Sequence, residues 1–136
     1  MKLVTAEQMR AIEQSCVDAG ISLDELMENA GLAVAEAVNS GFDGDGGGIY
    51  GKRIVILIGP RDNGADGFVT GRHLADWGAS VTAVLCAQRK SPDPKRELAE
   101  DAGVSVEDAL SDEGGESLYQ KLETTDVLID AVLGIG

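Results

Sequence analysis

Positive charge is scarce in this sequence. Its 136 residues include 11 lysines and arginines against 24 aspartates and glutamates, which gives a formal net charge of -13. Nucleic acids and anionic membrane surfaces both attract positive charge, so this balance argues against either as a partner. We therefore expect neither nucleic acid nor a membrane among the partners of the protein.

Long apolar runs are missing as well. No run approaches the roughly 20 apolar residues of a membrane helix, and the opening, MKLVTAEQMRAIEQ, turns polar after four residues. The two cysteines, Cys16 and Cys86, lie far apart and form no CxxC pattern. They are typical of small buried hydrophobes in a reducing compartment. We expect a soluble, cytoplasmic protein.

Two familiar phosphate-binding motifs are also absent. The apolar run RIVILIG has the length and β-branched character of a buried strand, and the glycine-rich turn GPRDNGADGF follows it at 59–68. Gly64 is followed by Ala65 and Asp66, so the lysine and the hydroxyl of a P-loop are lacking. Arg61 stands where the dinucleotide fingerprint GxGxxG has its second glycine, which excludes that motif too.

Hydrophobic periodicity predicts alternating helices and strands. Two capping boxes, at 5–8 and 22–25, open two N-terminal helices. Further elements are predicted as strands at 53–59, 80–86, 104–106 and 126–134 and as helices at about 66–77, 94–102 and 116–123. Continuous apolar strands are typical of a parallel sheet covered on both faces, so we predict an α/β fold in three layers, αβα, with a mostly parallel sheet.

Ligands of open parallel sheets bind beyond the carboxyl ends of the strands. The glycine-rich turn at 59–67 follows one predicted strand, and Gly134 follows another. We expect these two turns to meet at one crevice and to form the functional site.

Four segments, taken together, resemble the YjeF N-terminal domain family, the NAD(P)HX epimerases. GPRDNGADGFVTGRHL is similar to the family's turn GNNGGDG and the helix after it. TAEQMRAIEQ and LMENAGLAVAEAV resemble its first two helices, and DVLIDAVLGIG resembles its DLIVDALFGTG. The resemblance implies a Rossmann-like fold. It also identifies residues 1–136 as the N-terminal part of such a domain, and we expect the domain to be incomplete at its C-terminal end.

The activity that this resemblance implies is an isomerase reaction of cofactor repair. It interconverts the R and S forms of hydrated NADH and NADPH, in which C6 of the nicotinamide ring carries a hydroxyl. The implied partners are NAD(P)HX as substrate, a second copy of the chain in a homodimer, and a fused or separate NAD(P)HX dehydratase. The implied cofactor is a potassium ion. The alternative is a non-catalytic ligand-binding or dimerisation module of the same family.

The resemblance also assigns roles by position. Asn63 and Asp130 correspond to potassium ligands, and the hard oxygens of an amide and a carboxylate suit such a cation. Asp130 is the candidate catalytic residue because a carboxylate can donate and accept a proton; its other interpretation is a strand-end aspartate that only binds the ion or caps a turn. The implied substrate-binding residues are Asp62, Asn63, Gly64, Ala65, Asp66 and Gly134.

Some residues depart from the family pattern or leave alternatives open. Ala65 places a methyl group where the backbone needs either a positive φ or a close approach to ligand. Asp62 adds a charge where the family has asparagine, and Arg61 could pair with it or with a phosphate. Arg89 and Lys90 follow the second strand, where a 2′-phosphate is met in dinucleotide-binding folds. A solvated loop is the favoured interpretation of these two residues.

Overall fold

The computed structural model describes residues 3–42, 44, 46–111 and 115–134. Four strands and five helices are assigned within these ranges. The helices are α1 (Ala6–Asp18), α2 (Leu23–Ser40), α3 (Asp62–Asp76), α4 (Pro94–Asp101) and α5 (Glu116–Leu122). The strands are β1 (Arg53–Ile58), β2 (Ser80–Leu85), β3 (Ser105–Asp108) and β4 (Val127–Ala131). A short 3₁₀ turn, Ala109–Ser111, follows β3.

Both predicted capping boxes are present. The Thr5 hydroxyl accepts from the Gln8 amide at 3.2 Å, while the Gln8 side chain accepts from the Thr5 amide at 2.8 Å. Ser22 and Glu25 make the same reciprocal pair at the start of α2. Each box satisfies helix N–H groups that have no partner inside the helix, so the sequence itself fixes where α1 and α2 begin.

The sheet is parallel throughout its described strand pairs, in the order β3-β2-β1-β4. The chain moves outward from β1 to β2 to β3 and then returns to place β4 on the other side of β1. Helix α3 packs on one face of the sheet, with α4 beside it. Helix α5 lies on the opposite face, where Lys121 pairs with Glu107 of β3 at 2.9 Å. The predicted Rossmann-like, three-layer arrangement is confirmed.

The hydrophobic core lies between the sheet and α3. Phe68 and Leu74 of α3 are fully buried against the β1 isoleucines Ile54, Ile56 and Ile58. Helix α2 packs across the outer side of α3, and the buried Thr70 hydroxyl donates to the Gly31 carbonyl at 3.0 Å. The N-terminal helices are therefore joined to the helical layer rather than directly to the sheet.

One predicted boundary is wrong in a way that matters for the site. The helix after β1 begins at Asp62, not near Asp66, so the turn contains only Gly59, Pro60 and Arg61. The strand predicted at 126–134 is also shorter, since β4 ends at Ala131. Within the described ranges no helix is both long and apolar enough to cross a bilayer.

Candidate functional site

The site lies where the direction of strand connection reverses. Strand β1 is followed by a crossover to β2 on one side, whereas its other neighbour, β4, is reached from β3 across the opposite face. In open α/β sheets this switch point leaves a crevice beyond the carboxyl ends of the two strands. In this structure the crevice at the switch point is a cleft of about 610 Å³. Its lining residues are Arg10, Glu13, Pro60, Arg61, Asp62, Asn63, Asp66, Val132, Leu133 and Gly134.

The two glycine-bearing turns meet directly, as predicted. The Gly59 amide donates to the Ala131 carbonyl at 3.0 Å. A Cβ on Gly59 would lie 1.8 Å from the Val132 carbonyl oxygen, so only glycine fits where the turn after β1 crosses the end of β4. On the second turn, a Cβ on Gly134 would lie 3.3 Å from the Asn63 Cβ, which places Asn63 against Gly134.

The N-terminal end of α3 delivers three of the predicted site residues to the cleft. Asp62, Asn63 and Asp66 line it, because Asp66 follows Asn63 by three residues and Asp62 by four, and residues so spaced are neighbours on a helix surface. Gly64 and Ala65 are buried behind this wall and do not line the cleft. Their substrate-binding roles stay predictions.

Ala65 needs no special backbone. It is helical, and no non-glycine residue in the described part of the chain has a positive φ. The interpretation that its methyl group occupies a positive-φ position is therefore wrong. The residue is instead 7% exposed and is one of the buried hydrophobic residues of the core.

Asp66 is the most perturbed carboxyl among the described residues of the cleft. Its half-buried position, followed by the charges of Asp62 and Glu13, raises its pKa to about 6, with Lys95 opposing the shift. Removal from water and neighbouring negative charge both disfavour the ionised form. Asp66 therefore holds a proton closer to neutral pH than an ordinary aspartate.

Asp130 lies at the end of β4, one residue before the last of the strand. Its side chain is exposed, and its Oδ1 accepts from the Val132 amide at 2.9 Å, which makes it the cap of the turn after β4. It pairs in register with Leu57 of β1. It is not among the residues that line the cleft. The hydrogen bond shows that Asp130 caps this turn, while its ion-binding and proton-transfer roles stay predictions.

Sequence reasoning missed the contribution of α1. Arg10 and Glu13 of α1 line the cleft together with the α3 residues, although the sequence predicted no site role for either of them. Their spacing of three residues on the polar side of a capped helix was the available signal. Only the fold reveals that this side faces the switch point.

Arg89 was also misinterpreted, because it does not lie in a solvated loop. Its side chain is 10% exposed and its Nε donates to Asp93 at 2.6 Å. Its Nη1 donates to the carbonyls of Gly59 at 2.6 Å and Arg61 at 3.0 Å. Lys90 is exposed, in agreement with the favoured interpretation of that residue.

The side chains that could hold a cation here would bind it through oxygen atoms. Asn63 offers an amide oxygen in the cleft and Asp130 a carboxylate on the neighbouring strand end. This donor set is chemically suited to a hard cation such as potassium. No group of three His, Cys, Asp or Glu side chains within the described ranges could hold a metal ion, so backbone carbonyls would have to complete such a site.

The chain is similar in sequence to known proteins over nearly its full length. It is 34% identical to an NAD(P)H-hydrate epimerase of Fusarium vanettenii and 33% identical to a bifunctional NAD(P)H-hydrate repair enzyme Nnr of Methanopyrus kandleri, with 100% and 98% of the chain covered. These matches span 54% and 26% of the two relatives. The chain is thus about a quarter to half the length of the curated relatives that it matches.

The fold and a sequence profile agree with those matches. The crystal structure of the yeast protein ynu0 superposes with a TM-score of 0.79 at 29% identity, covering 99% of this chain and 58% of that one. A profile of the family described as YjeF-related protein N-terminus matches residues 23–136. The chain belongs to the YjeF N-terminal family.

Proposed function

We propose that the protein interconverts the R and S epimers of hydrated NADH and NADPH. The observation that carries the proposal is the cleft at the switch point, where the first turn of α3 and the turn after β4 meet beside ionisable carboxyl groups. Relatives named NAD(P)H-hydrate epimerase support the substrate class.

The chemistry requires a proton to move twice. The C6 hydroxyl of the hydrated nicotinamide leaves as water after it accepts a proton, and water then adds to the other face of the ring and returns the proton. A single carboxyl group that donates and then accepts can serve both steps. We assign this role to Asp130, whose carboxylate is fixed by the Val132 amide.

Asp66 is the competing candidate for the proton. It lines the cleft, and its pKa of about 6 leaves part of its population protonated near neutral pH. A general acid works best when its pKa lies near the operating pH. If Asp66 carries the proton, Asp130 is left with ion binding.

A potassium ion held by Asn63 and Asp130 is a further part of the proposal. When bound, it would supply positive charge beside the carboxylates and the diphosphate of the substrate. Asn63 would offer its amide oxygen to the ion, and backbone N–H groups at the start of α3 would remain for phosphate oxygens. Activity measured in potassium against sodium buffers of equal ionic strength tests this part.

The Asp130→Asn variant tests the catalytic assignment. We expect it to abolish epimerisation, by at least about 100-fold, because an amide cannot donate and accept the proton, while the fold is retained. Epimer interconversion followed by chromatography of NADHX gives the rate, and circular dichroism gives the fold. The exposed Asp101→Asn is the matched control and should keep wild-type activity.

The outcomes separate the competing assignments. Full activity of Asp130→Asn would remove Asp130 from the reaction and direct attention to Asp66. Binding of NADHX by the wild-type protein without interconversion would favour the non-catalytic module.

The remaining partners are also proposals. A dehydratase that consumes one epimer is the expected companion activity, and relatives named bifunctional repair enzymes support it. We further propose a homodimer, which the exposed Ile12 and Val17 of α1 favour, and a cytoplasmic location. Sedimentation velocity measures the oligomeric state directly.

A further inference from the structure

Arg89 connects three parts of the molecule that meet behind the cleft. It lies in the loop after β2, it pairs with Asp93 at the start of α4, and it donates to two carbonyls of the turn after β1. Its guanidinium carbon also lies 5.3 Å from the centre of the buried Phe68 ring. A guanidinium that is this enclosed keeps one orientation, since its planar donors are fixed on several sides.

The two carbonyls that Arg89 contacts bracket the turn that leads into the site. Gly59 is the residue whose missing side chain lets the turn cross the end of β4, and Arg61 is the N-cap of α3. Arg61 makes no capping hydrogen bond through its side chain. The orientation of the first turn of α3 therefore depends on contacts to the backbone rather than on a local cap.

The same Nη1 that donates to the two carbonyls also lies against α3 at Gly64. A Cβ on Gly64 would lie 2.5 Å from Arg89 Nη1 and 2.2 Å from the Gly59 carbonyl oxygen. Gly64 thus leaves the space in which Arg89 reaches both carbonyls. This contact gives Gly64 a structural reason for being glycine that needs no bound ligand.

We propose that Arg89, held by Asp93, is a positioning residue that sets the turn Gly59–Arg61 and so aims Asp62, Asn63 and Asp66 into the cleft. The catalytic consequence of this inference rests on the proposed epimerase function. Lysine cannot replace Arg89 in this role, because an ammonium group lacks the planar fork that serves a carboxylate and two carbonyls together.

The test compares Arg89→Lys with Arg96→Lys. Arg96 is the matched control, since it makes a similar i, i+4 pair with Glu100 on the exposed side of α4, away from the cleft. Misplacing reacting groups by about 1 Å costs up to about 100-fold in rate. We expect Arg89→Lys to lower kcat for NADHX epimerisation by about 10- to 100-fold with a smaller change in KM, and Arg96→Lys to match wild type.

A second readout does not depend on activity. In ¹H–¹⁵N spectra of the free protein, Arg89→Lys should shift the amide signals of Asp62, Asn63 and Asp66 while leaving those of α5 in place. If wild type does not epimerise NADHX, the proposed function fails, and these amide shifts still decide the positioning role. Unchanged signals in a folded Arg89→Lys protein would overturn the inference.

Asp93→Asn keeps the test available if Arg89→Lys does not fold. Asparagine retains a side-chain oxygen for the Arg96 amide, which Asp93 now caps at 3.4 Å, but it removes the charge that holds Arg89. The same three amides should shift by a smaller amount. A change confined to the start of α4 would show that Asp93 only caps that helix and would also count against the inference.

Discussion

Asp66 and Asp130 lie at the same end of the sheet but in different surroundings. Asp66 projects from the N-terminal end of α3 into the cleft, with Asp62 and Glu13 as its negatively charged neighbours. Asp130 projects from β4 on the sheet face opposite α3, because side chains alternate along a strand and the adjacent Ala131 is the one packed in the core. The two carboxyls are therefore fitted to different tasks.

This contrast teaches that the surroundings of a carboxyl group depend more on the element that carries it, helix or strand, than on its place along the sheet edge. On the helix, a carboxyl is enclosed by the helical layer and its proton affinity rises. On the strand end, the carboxylate stays exposed and is used by the backbone, as the hydrogen bond from the Val132 amide illustrates. Under the competing assignment of the proposed function, Asp66 would carry the proton and Asp130 would bind the ion.

Gly59→Ala should push the turn after β1 away from the end of β4. Of the predicted changes, it should have the largest effect on stability. Its Cβ would lie 1.8 Å from the Val132 carbonyl oxygen, so the turn after β1 must move away from β4. We expect the free energy of unfolding to fall by about 3 kcal/mol, at the upper end of typical overpacking costs. Urea denaturation measures it.

Gly47→Ala is the control for this substitution. In the described part of the chain, a Cβ on Gly47 would have no heavy atom within 4 Å beyond its two chain neighbours, so the free energy of unfolding should change by less than about 0.5 kcal/mol. Equal stability of Gly59→Ala and Gly47→Ala would show that the two turns can separate at no cost, and that the site is not held together at Gly59.

The sequence was sufficient to predict what local chemistry determines. The capping boxes set the starts of α1 and α2, and apolar runs marked β1, β2 and β4. Each glycine turn follows a predicted strand, and ligands of parallel sheets bind beyond the carboxyl ends of the strands, so the meeting of the two turns was also predictable.

Other parts of the site depend on tertiary contacts. Residues 62–65 read as a loop because Gly64 disfavours a helix by about 1 kcal/mol relative to alanine. Burial of Ala65 in the core and the contacts of Arg89 with the turn outweigh that preference. The spacing of Arg10 and Glu13 places them on one side of α1, but only the tertiary fold brings that side to the cleft.

Asp66→Asn tests whether the half-buried Asp66 carboxyl makes the stability of the protein depend on pH. Since the pKa of Asp66 is about 6 in the folded protein and near 3.8 in the absence of burial, the folded state keeps a proton that the unfolded state has lost between these pH values. The contribution of Asp66 to stability is therefore greatest below about pH 4, falls as pH rises to 6, and stays low above that.

The variant should lose this dependence. Relative to wild type, Asp66→Asn should gain about 1 kcal/mol between pH 4 and pH 7, a value reduced from the full shift because the side chain is only half-buried. Thermal unfolding across this range in potassium-free buffer measures the gain. Asp76→Asn, on the exposed end of the same helix, should retain the wild-type pH dependence. A pH-independent difference between Asp66→Asn and wild type would contradict the assignment.

Asp62→Asn should give the smallest of the predicted effects. It tests how much the charge of Asp62 contributes to the raised pKa of Asp66. After burial, the charge of Asp62 is the next cause of the raised pKa of Asp66. Like charges at i, i+4 on a helix cost about 0.2–0.5 kcal/mol, so the pKa of Asp66 should fall by about 0.3 unit in this variant. Carbon-detected NMR titration of the Asp66 carboxyl measures the change.

The position of Asp62 at the start of α3 explains why an aspartate is tolerated there. Asp62 is the first residue of α3, whose N-cap makes no side-chain hydrogen bond, and a negative charge in a first turn stabilises the unpaired amides there by about 0.3–1 kcal/mol. Asp62→Asn should thus weaken the start of α3 while it lowers the pKa of Asp66. Glu13→Gln, which removes a weaker negative neighbour from α1, should lower that pKa by less and leave the helix start unchanged. A larger pKa change in Glu13→Gln than in Asp62→Asn would mean that α1, rather than α3 itself, controls the proton affinity of the cleft.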